Sequence, residues 1–250
     1  MSRRRFYAPP SAFKLQDQTV SLAADEARHL RDVLRLKAGD EVYVFDGVGR
    51  EFCCNVSSTG RDSVELKIDA EVDPAKPESQ LQLKLCVALL KGEKFDLVVQ
   101  KATELGVQKI VPLITRYADV QPRDEAAGAK RVARWQRIAL EASKQSGRAF
   151  VPEISQPARF ASLFSGTNGS DLRLMFSERD GEGLNSLSSQ LAPQRVTALV
   201  GSEGGWSDEE IEQARAQNFH VVTLGGRVLR AETAAITVTA LLQHLFGDLK

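Results

Sequence analysis

The stretch Val196-Thr197-Ala198-Leu199-Val200-Gly201-Ser202-Glu203-Gly204-Gly205-Trp206-Ser207 decides how the chain folds. A short apolar run gives way to a glycine-rich loop. Ser207, followed three residues later by Glu210, has the spacing of a capping box that opens a helix. Strand, loop and helix in that order form the repeating unit of parallel sheets. The same grammar returns downstream. Val221-Val222-Thr223-Leu224 is apolar, Gly225-Gly226-Arg227-Val228-Leu229-Arg230 is a second loop, and Ala231-Glu232-Thr233-Ala234-Ala235 opens a last helix over about 232–246. Ligands of open parallel sheets bind beyond the carboxyl ends of the strands, so the two loops are candidates to share one ligand. Their glycines let a ligand approach the backbone, loop amides and helix N-termini offer donors, and Leu224, Val228 and Leu229 offer an apolar wall. Glu203 could accept or relay a proton. Turn glycines in a mobile loop have the same sequence signature, and Arg230 near Glu232 also fits a plain local ion pair.

Outward from these loops, strands and helices alternate. Strands are predicted at 81–90, 109–114, 172–176, 196–200 and 220–224. Helices are predicted at 93–105, with Phe95, Val98, Ala102 and Leu105 on one face and Gly106 as a stop, at 131–146, with Val132, Trp135, Ala139 and Ala142 inward, and at 207–217. This pattern predicts an α/β domain with a mostly parallel sheet. The first 70 or so residues read differently, with strands at 41–45, 51–56 and 63–68. A helix at 25–36 interrupts them, with Leu30, Val33 and Leu34 on one face and Arg28, Arg31 and Arg35 on another. Short strands with glycine turns suggest a small barrel. The polar linker Asp73-Pro74-Ala75-Lys76-Pro77-Glu78 separates the two regions, which gives domains at 1–72 and 73–250.

Composition narrows the class. A chain of 250 residues allows one or two domains, and 42% hydrophobic residues suffice for a buried core. Lys plus Arg and Asp plus Glu both number 33, so a globally basic nucleic-acid binder is excluded, although local patches are not. Residues 1–37 hold eight basic and four acidic groups, residues 123–148 seven and three, and residues 38–80 four and ten. Cys53, Cys54 and Cys86 suggest no disulfide framework, and the scattered His29, His220 and His244 suggest no zinc site. The basic start lacks an apolar stretch of the signal-peptide kind, and Val87 to Leu90 is too short to span a bilayer. A soluble cytoplasmic protein without a metal is expected. No P-loop, G-x-G-x-x-G or G-x-S-x-G motif is present. The cysteines and Trp206 receive no role from the sequence.

Several stretches carry a resemblance, and they cover nearly the whole chain in order. They are Arg3-Arg4-Arg5-Phe6, His29 to Leu36, Lys91-Gly92-Glu93-Lys94-Phe95-Asp96, Lys101 to Gly106, Gly201 to Gly205, and Leu224 to Ala234. Each alone is weak, but together they are highly specific. The chain resembles the bacterial 16S rRNA (uracil(1498)-N3)-methyltransferase family, within the SPOUT class of knotted methyltransferases. Ser202 departs from the family, which usually has proline there, and this bears on the stiffness of the loop. The resemblance implies an N-terminal PUA-like β-barrel and a C-terminal SPOUT domain with a trefoil knot, acting as a homodimer. It implies S-adenosylmethionine bound in a bent form by Leu199, Val200, Gly201, Glu203, Gly204, Leu224, Gly225, Leu229, Arg230 and Ala234. The implied partner is 16S rRNA within the 30S subunit. A SPOUT enzyme for another nucleotide, or an inert RNA-binding protein, are the alternatives, and the intact 201–205 and 224–234 segments speak against inertness.

The implied chemistry assigns roles by type of residue. Uracil N3 must lose a proton before it becomes nucleophilic, so a base or a cation near the uracil oxygens is needed. Arg230 is the candidate cation, and Glu203 or Glu232 the candidate base. Glu203 could equally cap loop amides, and Glu232 suits a helix N-terminus. N3 lies on the Watson–Crick edge, so the target base must be unpaired or flipped out. Arg3, Arg4, Arg5, Arg31, Arg35, Arg134 and Arg137 are the candidate RNA contacts, with Lys144 on the same basic helix face as the last two. A basic helix face also serves solubility alone.

Overall fold

In residues 63–68 every second side chain is buried, and Val64, Leu66 and Ile68 face inward while Ser63, Glu65 and Lys67 face out. That alternation is what a strand with one wet face requires. A computed structural model describes residues 3–166, 169, 171–179, 181–184 and 192–250. The chain divides into two compact units, Met1–Glu78 with Leu140–Val151, and Ser79–Ala139 with Pro152–Lys250. A single cut between residues 72 and 73 does not carry the return of 140–151 to the first unit.

The first unit contains β1 (Arg5–Tyr7), β2 (Phe13–Lys14), β3 (Thr19–Ala23), β4 (Glu41–Phe45), β5 (Glu51–Thr59) and β6 (Ser63–Val72). They form one sheet in the order β1-β4-β5-β6-β3-β2, antiparallel except for β1 beside β4. With β1 and β2 at its two edges the sheet is a half-barrel, where a barrel was expected. Phe6, Val20, Leu22, Leu30, Val44 and Leu66 share its core.

The helix expected at 25–36 is shorter and changes pitch. Helix α1 (Ala24–Arg28) passes into a wider turn at His29–Val33, where the Leu34 N–H donates to His29 O at 3.0 Å, five residues back. Five-residue spacing rotates the following side chains off the predicted face. Leu30 and Leu36 are therefore buried, while Val33 is 68% and Leu34 41% exposed. Arg35 closes the turn with φ +54°.

Glu51 is fully buried and holds this unit's charged centre. Arg5 Nη2 donates to its Oε2 at 3.0 Å, Arg3 Nη1 to its Oε1 at 3.2 Å, and the Ala75 N–H to Oε2 at 3.0 Å. Arg5 also donates to the carbonyls of Lys144 and Arg148 and lies over the Phe45 ring.

The second unit contains β7 (Gln82–Ala88), β8 (Lys109–Ile114), β9 (Glu153–Ile154), β10 (Ala158–Arg159), β11 (Leu172–Phe176), β12 (Glu182–Gly183), β13 (Arg195–Val200) and β14 (His220–Thr223). Their order is β10-β8-β7-β13-β11-β14-β12, with β9 also on β8, and every pairing is parallel. Leu83, Leu85, Cys86, Val87 and Ala88 are all buried, as expected of a parallel strand covered on both faces. The mixed α/β class with a parallel sheet thus matches the expectation. The helices described after β7 are α2 (Lys94–Glu104), α3 (Glu125–Ser146, whose residues from Leu140 on belong to the first unit), α4 (Asp208–Ala216) and α5 (Ala231–Phe246). Helix α2 buries Phe95, Val98 and Ala102 and stops at Gly106, whose φ is +86°. Helix α3 starts six residues before the predicted 131, because the Asp124 carboxylate accepts the Ala127 N–H at 2.7 Å and caps an earlier turn. Helix α4 has the capping box read from Ser207 and Glu210. Burial pushes the thiols of Cys54 and Cys86 up to about 12, which leaves both inert at neutral pH.

Removing one partner of a buried ion pair strands the other charge. Glu51→Gln is expected to destabilise the first unit by about 3 kcal/mol, read from amide exchange of β1 and β5 under native conditions. A loss below about 1 kcal/mol would assign the Glu51 cluster no more weight than a surface pair.

Candidate active site

Phe176 at the end of β11 pairs with Val200 on one side and with Val222 on the other. The central strand is thus flanked by β13 and β14, and all three point their carboxyl ends the same way. The chain runs from β11 to β12 at the sheet edge, returns to β13 on the other side of β11, and then crosses back to form β14 between β11 and β12. A crevice opens where such connections diverge. Here it is a cleft of about 270 Å³ between the three loops that follow these strands and the first turns of α5.

Trp206 fixes the cleft's shape. Its indole Nε1–H donates to Phe176 O at 2.8 Å, and its buried ring packs against Phe160. A Cβ on Gly201 would stand 3.2 Å from that ring, so the absence of a side chain lets the loop fold over it. Gly205 has φ +71° and closes a tight turn by donating its N–H to Ser202 O at 3.0 Å. Arg179 ties the first of the three loops to the second by donating to Trp206 O at 2.9 Å and to Asp208 at 2.8 Å.

Most residues predicted for the cleft line it: Val200, Gly201, Glu203, Gly204, Leu224, Gly225, Leu229 and Ala234. Leu199 does not. It is the penultimate strand residue, its side chain alternates to the opposite face, and it sits in the core with Cys86, Met175 and Ile211. Arg230 is also outside the lining. It is the exposed N-cap of α5, and its carbonyl accepts the Ala234 N–H at 2.8 Å. Glu232 lies in the first turn of α5 with its side chain 12% exposed and is not among the lining residues.

Three contributors were not visible in sequence. Phe176, Ser177 and Glu178 supply a third wall, and nothing in an ordinary apolar strand end marks them. Trp206 acts as the tie just described. Lys94, at the start of α2, donates to Glu203 Oε1 at 2.6 Å and stands 4.0 Å from Glu232 Oε2. Its only sequence signal is the Lys91-Gly92-Glu93-Lys94 run before a helix. Ser202 Oγ and Thr223 Oγ1 are buried at the cleft without a hydrogen-bond partner among the described residues; Glu232 Oε2, outside the lining, is likewise buried without one.

Charge at the rim follows from Lys94. Partial burial is the largest single influence and raises the Glu203 carboxyl, but the hydrogen bond from Lys94, the residue's own backbone N–H and the Lys94 charge together hold it below the ordinary carboxylate range. Reciprocally, the bond to Glu203 lifts the Lys94 ammonium above its ordinary value. The pair is therefore ionised at neutral pH. Its stabilisation fades as pH falls through the Glu203 value, or as pH rises through that of Lys94.

The candidate RNA contacts divide into held and free. Arg5 is enclosed, its side chain 8% exposed and its donors committed to Glu51 and two carbonyls, so it anchors the first sheet. Arg3 shares Glu51, and Arg31 pairs with Asp32 and donates to the carbonyls of Gly60 and Arg61. Arg134 pairs with Asp96, which also accepts the Trp135 Nε1–H. Lys144 is largely buried against Glu26 at 2.7 Å and leaves the basic helix face. Arg4, Arg35 and Arg137 are exposed, and no side-chain partner holds them among the described residues.

Gly204 packs directly on the Arg116–Tyr117 corner. A Cβ there would meet Tyr117 Cβ at 2.7 Å and the Tyr117 carbonyl at 3.3 Å. Gly204→Ala is expected to cost about 1–3 kcal/mol through this overlap, read as a lowered Tm. An unchanged Tm would mean that the loop yields freely.

The chain matches the family described as an RNA methyltransferase domain over residues 77–243, and the RNA methyltransferase PUA domain over residues 22–69. It is 31% identical to the ribosomal RNA small subunit methyltransferase E of Rickettsia conorii, covering 92% of this chain and 91% of that one. Among solved structures, a Legionella pneumophila methyltransferase in complex with S-adenosylmethionine superposes with a TM-score of 0.87 at 32% identity over 100% of both chains. The ribosomal RNA small subunit methyltransferase E of Neisseria gonorrhoeae, also bound to S-adenosylmethionine, gives 0.86 at 33% identity, again over 100% of both chains. With the family match over two-thirds of its length and these full-length likenesses, the chain belongs to the RNA methyltransferase family whose members include the ribosomal RNA small subunit methyltransferases E.

Proposed function

We propose that this protein transfers a methyl group from S-adenosylmethionine to N3 of a uracil in 16S rRNA of the small ribosomal subunit. The observation that carries the proposal is the convergence of three parallel-strand loops on one cleft, in a chain whose full-length structural relatives hold S-adenosylmethionine.

The residues present fit that cofactor. The cleft's volume lies near the lower end of the range for small-molecule sites, about 300 Å³. Phe176, Val200, Leu224, Leu229 and Ala234 give apolar walls suited to a purine and an aliphatic chain, and the unpartnered Ser202 and Thr223 hydroxyls offer hydrogen bonds. Glu178 and Glu203 supply negative charge for a cationic ligand. When bound, S-adenosylmethionine supplies a methyl group already activated by its sulfonium.

The protein's own task is then to align the acceptor and remove the N3 proton. Arg230, exposed and without a side-chain partner among the described residues, is free to meet the uracil O2 or O4 as negative charge grows there. Glu203 or Glu232 accepts the proton. Arg4, Arg35 and Arg137 contact phosphates, and Arg3, Arg31 and Arg134 do so only by exchanging their present partners. The target base is presented unpaired. A homodimer, a trefoil knot in the second unit and a cytoplasmic site of action on 30S subunits complete the reading, each supported by the family resemblance.

Incubation with isolated 30S subunits and S-adenosylmethionine, followed by nucleoside mass spectrometry, is expected to yield N3-methyluridine. Methylation at another atom, or none, would contradict the assignment. In the same assay Arg230→Ala is expected to lower kcat on the order of a hundredfold; full activity at saturating cofactor and RNA would remove Arg230 from the chemistry. Arg4→Ala with Arg35→Ala is expected to reduce the slope of log affinity against log salt by about 1.5, and an unchanged slope would place the phosphates elsewhere.

A further inference from the structure

Lys94 is the one side chain of α2 that reaches both of the loop regions that carry the candidate bases. Glu203 comes from the loop after β13 and Glu232 from the first turn of α5, so three segments distant in sequence meet at one ammonium. The two carboxylates are not alike. Glu203 is 34% exposed and accepts a close hydrogen bond. Glu232 is nearly buried, with Oε2 lacking any hydrogen-bond partner among the described residues and the Lys94 ammonium 4.0 Å away. Both carboxylates lie within 4.0 Å of the same ammonium, so one cation links the two segments.

We propose that Lys94 is a positioning residue: it ties the Gly201–Trp206 loop to the start of α5 across the rim of the cleft by holding the carboxylates of Glu203 and Glu232, the candidate acceptors of the N3 proton. It acts through these carboxylates and not on the methyl donor. The proposal rests on the methyltransferase reading above.

All the charges around the site are consistent with this role. Arg230 opposes the ammonium form of Lys94 while Glu203 and Glu232 favour it. Asp119 opposes the ionised form of Glu203, and Asp119 is itself paired with Lys91 at 2.7 Å. Lys94 is the one side chain that lowers the Glu203 carboxyl, beside the residue's own backbone N–H. Without it, only that backbone bond opposes burial and Asp119, and Glu203 holds its proton to higher pH. A group that must be ionised to act as a base would then lose activity first at acidic pH.

The test pairs two readouts on wild type, Lys94→Met and Lys94→Arg. The Glu203 carboxyl is titrated by carbon NMR in the protein without cofactor, with Glu203→Gln to assign the signal. The pH profile of kcat/KM is measured for methyl transfer to 30S subunits. In Lys94→Met the Glu203 titration is expected to move to higher pH, and the acid limb of the rate profile to move with it, so that kcat/KM near its acid end falls on the order of tenfold. Lys94→Arg keeps the charge and is expected to restore both. If the titration moves and the rate profile does not, Lys94 is a rim ion pair without a part in the reaction, and the proposal is overturned. An unmoved titration overturns it as well. If wild type transfers no methyl group while the titration still moves, the methyltransferase reading fails and the tie itself stands.

Discussion

The hydrogen bond from the Trp206 indole to the Phe176 carbonyl is the contact on which the rest of the site depends. It joins the loop after β13 to the last residue of β11 at the point where those strands pair. A buried indole N–H without an acceptor is destabilising, so the bond holds the ring in one place. Once the ring is placed, Gly201 must lack a side chain to pass it, and Gly205 must take a left-handed backbone to turn back toward Ser202. Glu203 then stands at the rim, within reach of Lys94. The carboxylate proposed to take the N3 proton is thus positioned by a tryptophan tied to a strand end.

Parallel pairing supplies the remaining constraint. Because β11 lies between β13 and β14, three loops leave the sheet side by side, and an apolar cleft forms without any element dedicated to it. Its two unpartnered hydroxyls, Ser202 and Thr223, are buried polar atoms that a ligand would satisfy. The glycines do the opposite work by keeping the walls close to the backbone.

Much of this was legible in the residues. The apolar runs ending at Val200 and Leu224, the glycines after them and the Ser207–Glu210 box mark two of the three walls, because period, turn chemistry and capping are local. The third wall, Phe176 to Glu178, was not legible, since strand order is a non-local property that no short stretch encodes. Leu199 and Arg230 show a finer limit. Both flank lining residues, yet strand alternation turns Leu199 into the core, and the N-cap geometry leaves Arg230 outside the lining. Arg5 shows a third kind of limit. Three consecutive arginines read as one basic patch, but the side chain of Arg5 alternates inward onto a buried glutamate while Arg4 stays in solvent. The helix at 25–36 went astray because one wide turn rotated Val33 and Leu34 outward.

The zero net charge of the chain conceals this division between charges that build and charges that remain available. Of the arginines proposed for RNA, several are held by Glu51, Asp32 or Asp96, and Arg4, Arg35 and Arg137 are not. The central claim concerns the cleft, and amide chemical-shift mapping with S-adenosylmethionine addresses it most directly. Perturbations are expected to concentrate in residues 176–178, 200–206 and 223–234, at saturable ligand concentration. Perturbations confined to the groove lined by Lys91, Arg131 and Trp135, or no saturable change at all, would contradict the account.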